Sequence, residues 1–119
     1  MRATAGSIQH VVLFRFPREL EPEEEREMFA QVRAWPERIG GFTELRFGRD
    51  MTGARTQGHQ YLLLEQFPDE EAMKAYLKHP VHLAFADWVH ERGSRELAFD
   101  YVLGPDTVVL GEAATADTE

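Results

Sequence analysis

The stretch AYLKHPVHLAFAD, from Ala75 to Asp87, sets a tyrosine, two histidines and a proline within seven residues of an otherwise apolar, helical rhythm. Proline breaks a helix interior, because its ring clashes and its N–H is missing, yet it suits a helix's first position. Pro80 therefore predicts that one helix stops near Lys78 and that another starts at the proline. Before the joint, Ala72, Met73, Tyr76 and Leu77 recur at helical spacing, with Asp69 as N-cap after Pro68. Beyond it, Val81, Ala84, Phe85 and Trp88 form a second stripe that Gly93 brings to a stop. His79 and His82 fall at the joint and in the first turn of the second helix. Side chains there project from a fixed backbone beside unpaired helix-terminal N–H groups, so titratable groups at this corner are candidate site residues. His79 reads as a cap for the joint. His82 shares a helix side with Phe85 and Val89, which aims its imidazole at an apolar interior.

Outward from this corner the chain alternates between strands and helices. Ser7 to Phe16 carries Ile8, His10, Val12, Phe14 and Phe16 on one face and Gln9, Val11, Leu13 and Arg15 on the other. Apolar residues on both faces predict a central strand. Pro22 opens a helix with Met28, Phe29, Val32 and Trp35 on its buried side, closed by Pro36. Gly40–Gly41 turns the chain into a strand over residues 42–49, followed by a polar loop over 50–58. Residues 60–67 form a third strand, with Tyr61, Leu63, Glu65 and Phe67 on one face and Leu62, Leu64 and Gln66 on the other. Leu97, Phe99, Tyr101 and Leu103 alternate in a last strand.

The order β-α-β-β-α-β is the split-βαβ, ferredoxin-like arrangement, an α+β fold with a four-stranded antiparallel sheet. Helices cover one sheet face, and the other face is apolar too, a larger patch than monomers usually expose. Two such sheets pairing symmetrically would bury it, so a homodimer is expected, a dimeric α+β barrel with a cavity between its sheets. The domain is expected over residues 7–105, after a flexible N-terminus of residues 1–6. In the tail, 106–119, Val108, Val109 and Leu110 suit an added edge strand or a clasp on the partner, and GEAATADTE is expected to be disordered.

Composition narrows the function. The 119 residues suit one domain. No apolar run nears the roughly 20 residues of a bilayer span, and MRATAGSIQH lacks the apolar core of a secretory signal. A cytoplasmic protein with no membrane partner is expected. The absence of cysteine excludes disulfides, thiolate zinc sites and iron–sulfur clusters. A net charge of −8 speaks against nucleic acid, whose phosphates need a basic surface. Six glutamates between Glu19 and Glu27 read as a solvated helix start at the positive end of the dipole. His79 and His82, with His59 or Asp87 nearby, lack HExxH or comparable spacing, so no metal is expected. No glycine fingerprint or axial-ligand pattern signals flavin or haem, and Ser7 and Ser94 lack a nucleophile elbow. No cofactor is expected.

Three segments, IQHVVLFRF from Ile8, GHQYLLLEQFPDEEAMKAYLKHPVHLAF from Gly58 and LAFDYVLGP from Leu97, span most of residues 8–105. They resemble the stress-responsive dimeric α/β-barrel, or Dabb, family. The HPxH element, its helix and the closing FDY strand are the most specific part. That family joins stress-induced proteins to a plant polyketide cyclase, which closes a linear poly-β-keto thioester by aldol condensation without metal or organic cofactor. The resemblance implies Tyr76 and His82 as an acid/base pair. It matches His10 to a first-strand histidine, Asp87 to an aspartate after the HPxH element, and Phe29 to a wall position on the first helix. One departure stands out: the cyclase's second pocket histidine, early in the third strand, falls at Tyr61, with His59 displaced.

The expected function is binding of a small apolar, carbonyl-bearing molecule. His82 would act as general base, since a neutral imidazole with a pKa near 6.5 can take a proton from a carbon acid. Tyr76 would be its acid partner in an aldol-type cyclisation or enolisation. His10, Phe14, Phe29, Tyr61, Leu63 and Phe85 would shape the pocket. Tyr76 also suits a core stripe, and His10 a satisfied buried histidine. Two alternatives stay open, a non-catalytic stress-responsive ligand-binding protein and a cofactor-free monooxygenase-like barrel.

Overall fold

A computed structural model of the chain describes residues 5–110. The elements run β1 Ile8–Arg15, α1 Pro22–Arg33, α2 Trp35–Arg38, β2 Glu44–Arg49, β3 Tyr61–Phe67, α3 Glu70–Lys78, α4 Pro80–Glu91 and β4 Arg95–Val102. The strands form one antiparallel sheet in the order β2-β3-β1-β4, the ferredoxin-like arrangement the sequence predicts. β1 and β3 lie at its centre, which is why both carry apolar groups on both faces.

Antiparallel partners share a face, so the register sorts the side chains into rows. Asp100, His10 and Glu65 stand side by side, as do Ala98, Val12 and Leu63, and Glu96, Phe14 and Tyr61. These rows face the helices. Between them and the helices sits the core, with Met28, Trp35, Phe67 and Val89 almost fully buried. On the other face, Leu97, Leu13 and Leu62 form one row and Phe99, Val11 and Leu64 another. No helix covers that face, and Phe99 is 67% and Leu97 59% exposed.

The helix starts follow from local chemistry. Pro22 occupies the first turn of α1, and the Glu24 carboxylate accepts from the Glu21 N–H at 2.8 Å. Asp69 caps α3 by accepting from the Ala72 N–H at 2.9 Å. His79 ends α3 and caps α4, its Nδ1 accepting from the Val81 N–H at 3.1 Å, as its position before Pro80 predicts.

Four expectations need correction. Pro36 does not close the first helical region; it sits in the first turn of α2, where its missing N–H costs nothing. Glu19–Glu27 is not merely a solvated run. Glu24 pairs with Arg18 and Arg92, Glu25 with Arg49, and Glu27 accepts from Trp88 Nε1 at 2.6 Å, tying α1 to α4. The last strand stops at Val102, before Leu103. Beyond it Val108 to Leu110 form no strand, and the side chains of Val108 and Leu110 are exposed. At the N-terminal side, Gly6 donates to the Leu103 carbonyl at 2.9 Å, tying the chain to the end of β4. Residues 1–4 and 111–119 lie outside the described residues, and the disorder expected of GEAATADTE falls there. Among the described residues no helix is long and apolar enough to cross a membrane.

Candidate acid–base site

The row Asp100–His10–Glu65 crosses three strands on the helix-covered face. His10 Nδ1 is hydrogen-bonded to Asp100 Oδ1, and its Nε2 stands 3.7 Å from Glu65 Oε1. α3 lays Tyr76 over this row, with its ring 6.1 Å from that of His10. The break at Pro80 then brings α4 back so that the His82 ring lies 4.3 Å from the Tyr76 ring. Trp35 packs edge-on against both, at 5.7 and 6.2 Å. His10, Tyr76 and His82, expected to share a site, are brought together.

Burial sets the protonation of this cluster. His82 is half-buried, and loss of solvent pushes its pKa below the ordinary histidine value, against the opposing pull of the Leu77 carbonyl. A carbonyl only accepts, so the 3.3 Å contact to Leu77 takes the Nδ1 proton and leaves the Nε2 lone pair free. Tyr76 is 1% exposed, and burial, reinforced by Glu65, holds its phenol protonated. Glu65 is 0% exposed. Burial pushes its carboxyl up to about 8, with Tyr76 opposing and Asp100 reinforcing. The Tyr76 hydroxyl reaches this carboxyl as a hydrogen-bond donor, though the contact falls short of full hydrogen-bond geometry and leaves both Glu65 oxygens incompletely satisfied. At pH 7 the cluster holds a neutral imidazole, a phenol and a carboxylic acid against a histidine anchored by a carboxylate.

The remaining expected residues lie along the same face. Phe14, Leu63 and Phe85 are close-packed core, with Phe14 and Phe85 edge-to-face at 6.0 Å. Tyr61 lies four residues from Glu65, about 13 Å along β3 at roughly 3.3 Å per residue. Its hydroxyl donates to Glu25 Oε2 at 2.7 Å, and Arg49 bridges Glu25 and Glu19 at 2.7 and 2.6 Å. Burial raises the Tyr61 pKa, and the hydrogen bond from Tyr61, then that from Arg49, lowers that of Glu25. Tyr61 thus joins a second polar cluster. His59 is held by the Thr56 carbonyl at 2.9 Å in the β2–β3 loop, and Asp87 is exposed.

Phe29 lines a cavity of about 330 Å³ between α1 and β2, with Val32, Arg33, Pro36, Leu45 and Phe47. A hollow of about 410 Å³ adjoins it, sharing Phe29 and Arg33 and edged by Arg49. Neither lining includes Tyr76 or His82. A third hollow, about 370 Å³, lies along the polar β2–β3 loop, away from the acid–base cluster. The cluster and the Phe29 cavity lie on the helix side of one chain, because the rows holding His10 and Phe47 face inward. Among the described residues no three His, Asp or Glu side chains are grouped to hold a metal ion.

Sequence reasoning missed Glu65 and Asp100. Both carried a signal: Glu65 interrupts the apolar face Tyr61–Leu63–Phe67, and Asp100 alternates with Ala98 and Val102 on the inward side of β4.

The stress responsive A/B barrel domain model matches residues 8–103. The chain is 23% identical over 96 residues to olivetolic acid cyclase of Cannabis sativa, covering 80% of this chain and 95% of that one. It is 26% identical over 102 residues to the stress-response A/B barrel domain-containing protein HS1 of Arabidopsis thaliana, covering 85% and 94%. Among solved structures, the hydroxynitrile lyase of Passiflora edulis superposes with a TM-score of 0.75 at 16% identity, over 87% of this chain and 99% of that one. A dimeric ferredoxin-like protein of unknown function from Thermobifida fusca superposes with a TM-score of 0.70 at 22% identity, over 82% and 91%. These two likenesses show the fold alone.

Proposed function

The chain belongs to the stress responsive A/B barrel domain family, and from that membership we propose that it is a cofactor-free acid–base enzyme. Its substrate is a small apolar molecule carrying β-related carbonyls, and it works as a homodimer. The observation that carries this reading is the 4.3 Å contact of Tyr76 with His82, whose Nε2 is free to accept a proton. His82 takes a proton from the methylene between two carbonyls. Tyr76 donates to the carbonyl oxygen as negative charge develops there. The enolate carbon then attacks a second carbonyl of the same molecule, forming the carbon–carbon bond of an aldol-type cyclisation, and His82 returns its proton to the new alkoxide. The Phe29–Phe47 cavity, with Arg33 at its rim, is an apolar hollow on the same side of the sheet, though neither Tyr76 nor His82 lines it. Similarity to olivetolic acid cyclase across 95% of that protein supports the cyclase reading.

A second reading, ligand binding without chemistry, is favoured by the 1% exposure of Tyr76 and the close packing of Phe14, Leu63 and Phe85. Incubation of a linear triketo thioester with wild type, His82→Ala and Tyr76→Phe separates the two. The cyclase reading expects ring closure by wild type and a loss of about 10²–10⁴-fold in His82→Ala, with the oligomeric state unchanged by size-exclusion chromatography. Undiminished cyclisation by His82→Ala would rule out the base. Binding without turnover by wild type would favour the second reading.

A further inference from the structure

We infer that Glu65 is the proton reserve behind Tyr76, a positioning residue that hands its carboxylic proton to the phenol oxygen as Tyr76 gives its own to the substrate. This rests on the acid–base reading of Tyr76 and His82 and extends it to a group that reading does not use. Packing does not account for Glu65. Its strand neighbours on the inward face, Leu63 and Phe67, are apolar and buried. A carboxyl with both oxygens incompletely satisfied is unfavourable there. What surrounds it is chemical rather than structural. The phenol of Tyr76 on α3 interacts with the Glu65 carboxyl and packs over the His10 ring at 6.1 Å, His82 from α4 lies against that phenol, and the Nε2 of His10 from β1 stands 3.7 Å from Glu65 Oε1. Asp100 from β4 reaches Glu65 through His10, while the β2 neighbour, Leu45, carries no titratable group.

The transfers balance. As His82 removes the carbon-bound proton, the Tyr76 O–H breaks and an O–H forms on the substrate carbonyl oxygen. The Glu65 O–H then breaks and the Tyr76 O–H is remade. Negative charge ends on the Glu65 carboxylate, facing His10, and the positive charge on His82. After the carbon–carbon bond forms, His82 protonates the alkoxide, and the enol-derived proton returns through Tyr76 to Glu65. Carrying this out at neutral pH requires a carboxyl that keeps its proton there, which burial provides.

The test follows exchange of the central methylene protons of heptane-2,4-dione into D₂O by proton NMR, with the buffer rate subtracted. Wild type is expected to exceed buffer, and His82→Ala and Tyr76→Phe to fall to it. Glu65→Gln should keep KM, lose about tenfold or more in kcat, and lose the wild-type alkaline limb near pH 8. Infrared spectra at pH 7 should show a protonated carboxyl band in wild type that Glu65→Gln lacks. Absence of that band in wild type, or an unchanged kcat and pH profile in Glu65→Gln beside an inactive His82→Ala, would overturn the relay and leave the acid–base reading standing. Exchange no faster than buffer in wild type, or undiminished in His82→Ala, would overturn both.

Discussion

Glu65 makes a thermodynamic statement that does not depend on any substrate. Its carboxyl titrates near 8 in the fold and near 4.5 when exposed. Between those values the native state holds a proton that the unfolded chain has released. Stability linked to this group is therefore fully present below about pH 4.5 and lost as the pH rises to about 8, by up to about 1.4 kcal/mol per pH unit. Glutamine keeps the shape and cannot ionise. Thermal unfolding of Glu65→Gln should show a Tm that falls less than wild type between pH 5 and 8, with the gap widest at the alkaline end. Parallel curves would mean that Glu65 is ionised in the native state. His82 shifts the opposite way: its depressed pKa places the acid limb of any His82-dependent rate below pH 6.5. The sequence exposed His82 through its proline neighbour. Glu65 was passed over although it interrupts the apolar face of Tyr61, Leu63 and Phe67, because both faces of β3 carry apolar residues and only the register shows which one meets the helices.

The broken helical region was legible because its signals are local. Pro80, Asp69 and His79 act on backbone groups within three residues, so their roles follow from sequence spacing. Pro36 was misread for a related reason: a proline marks a helix boundary from either side, and only the following turn shows which. Gly93 ends α4 with φ +83, and a Cβ there would lie 2.9 Å from Pro17 Cγ. Gly93→Ala thus meets both the left-handed penalty and a ring that cannot retreat. It should lose about 1–2 kcal/mol or more, read as a lower urea midpoint with an unchanged m-value. A midpoint equal to wild type would show that the Pro17 segment yields freely. The pairing of the acidic run with Arg49, Arg92 and Trp88 was not legible, because those partners come from other elements; Arg18, by contrast, lies next to the run in sequence.

At the scale of the whole molecule, the sheet separates two tasks. Its inward face carries the acid–base cluster, while its outward face offers Val11, Leu13, Leu62, Leu64, Leu97 and Phe99 to solvent in adjoining rows. Stable interfaces bury about 1,200–2,000 Å² in total, and each Å² of apolar surface removed from water contributes about 25 cal/mol. An uncovered four-stranded face suits that requirement, so the chain is expected to sediment as a dimer. A charge at the centre of the patch should prevent this, since each copy would bury an unpaired carboxylate against the other. Phe99→Glu is the sharpest choice: the side chain is 67% exposed and packs against Tyr101 at 6.2 Å, so the monomer loses little by the change. Analytical ultracentrifugation should find wild type at twice the chain mass and Phe99→Glu at the chain mass, with the circular dichroism retained. Because Tyr76, His82 and Glu65 face the other way, an infrared carboxyl band assigned to Glu65 should persist in the monomer. A wild-type monomer, or a Phe99→Glu dimer, would move the contact elsewhere on the surface; loss of the band on dissociation would mean that the partner helps keep Glu65 dry.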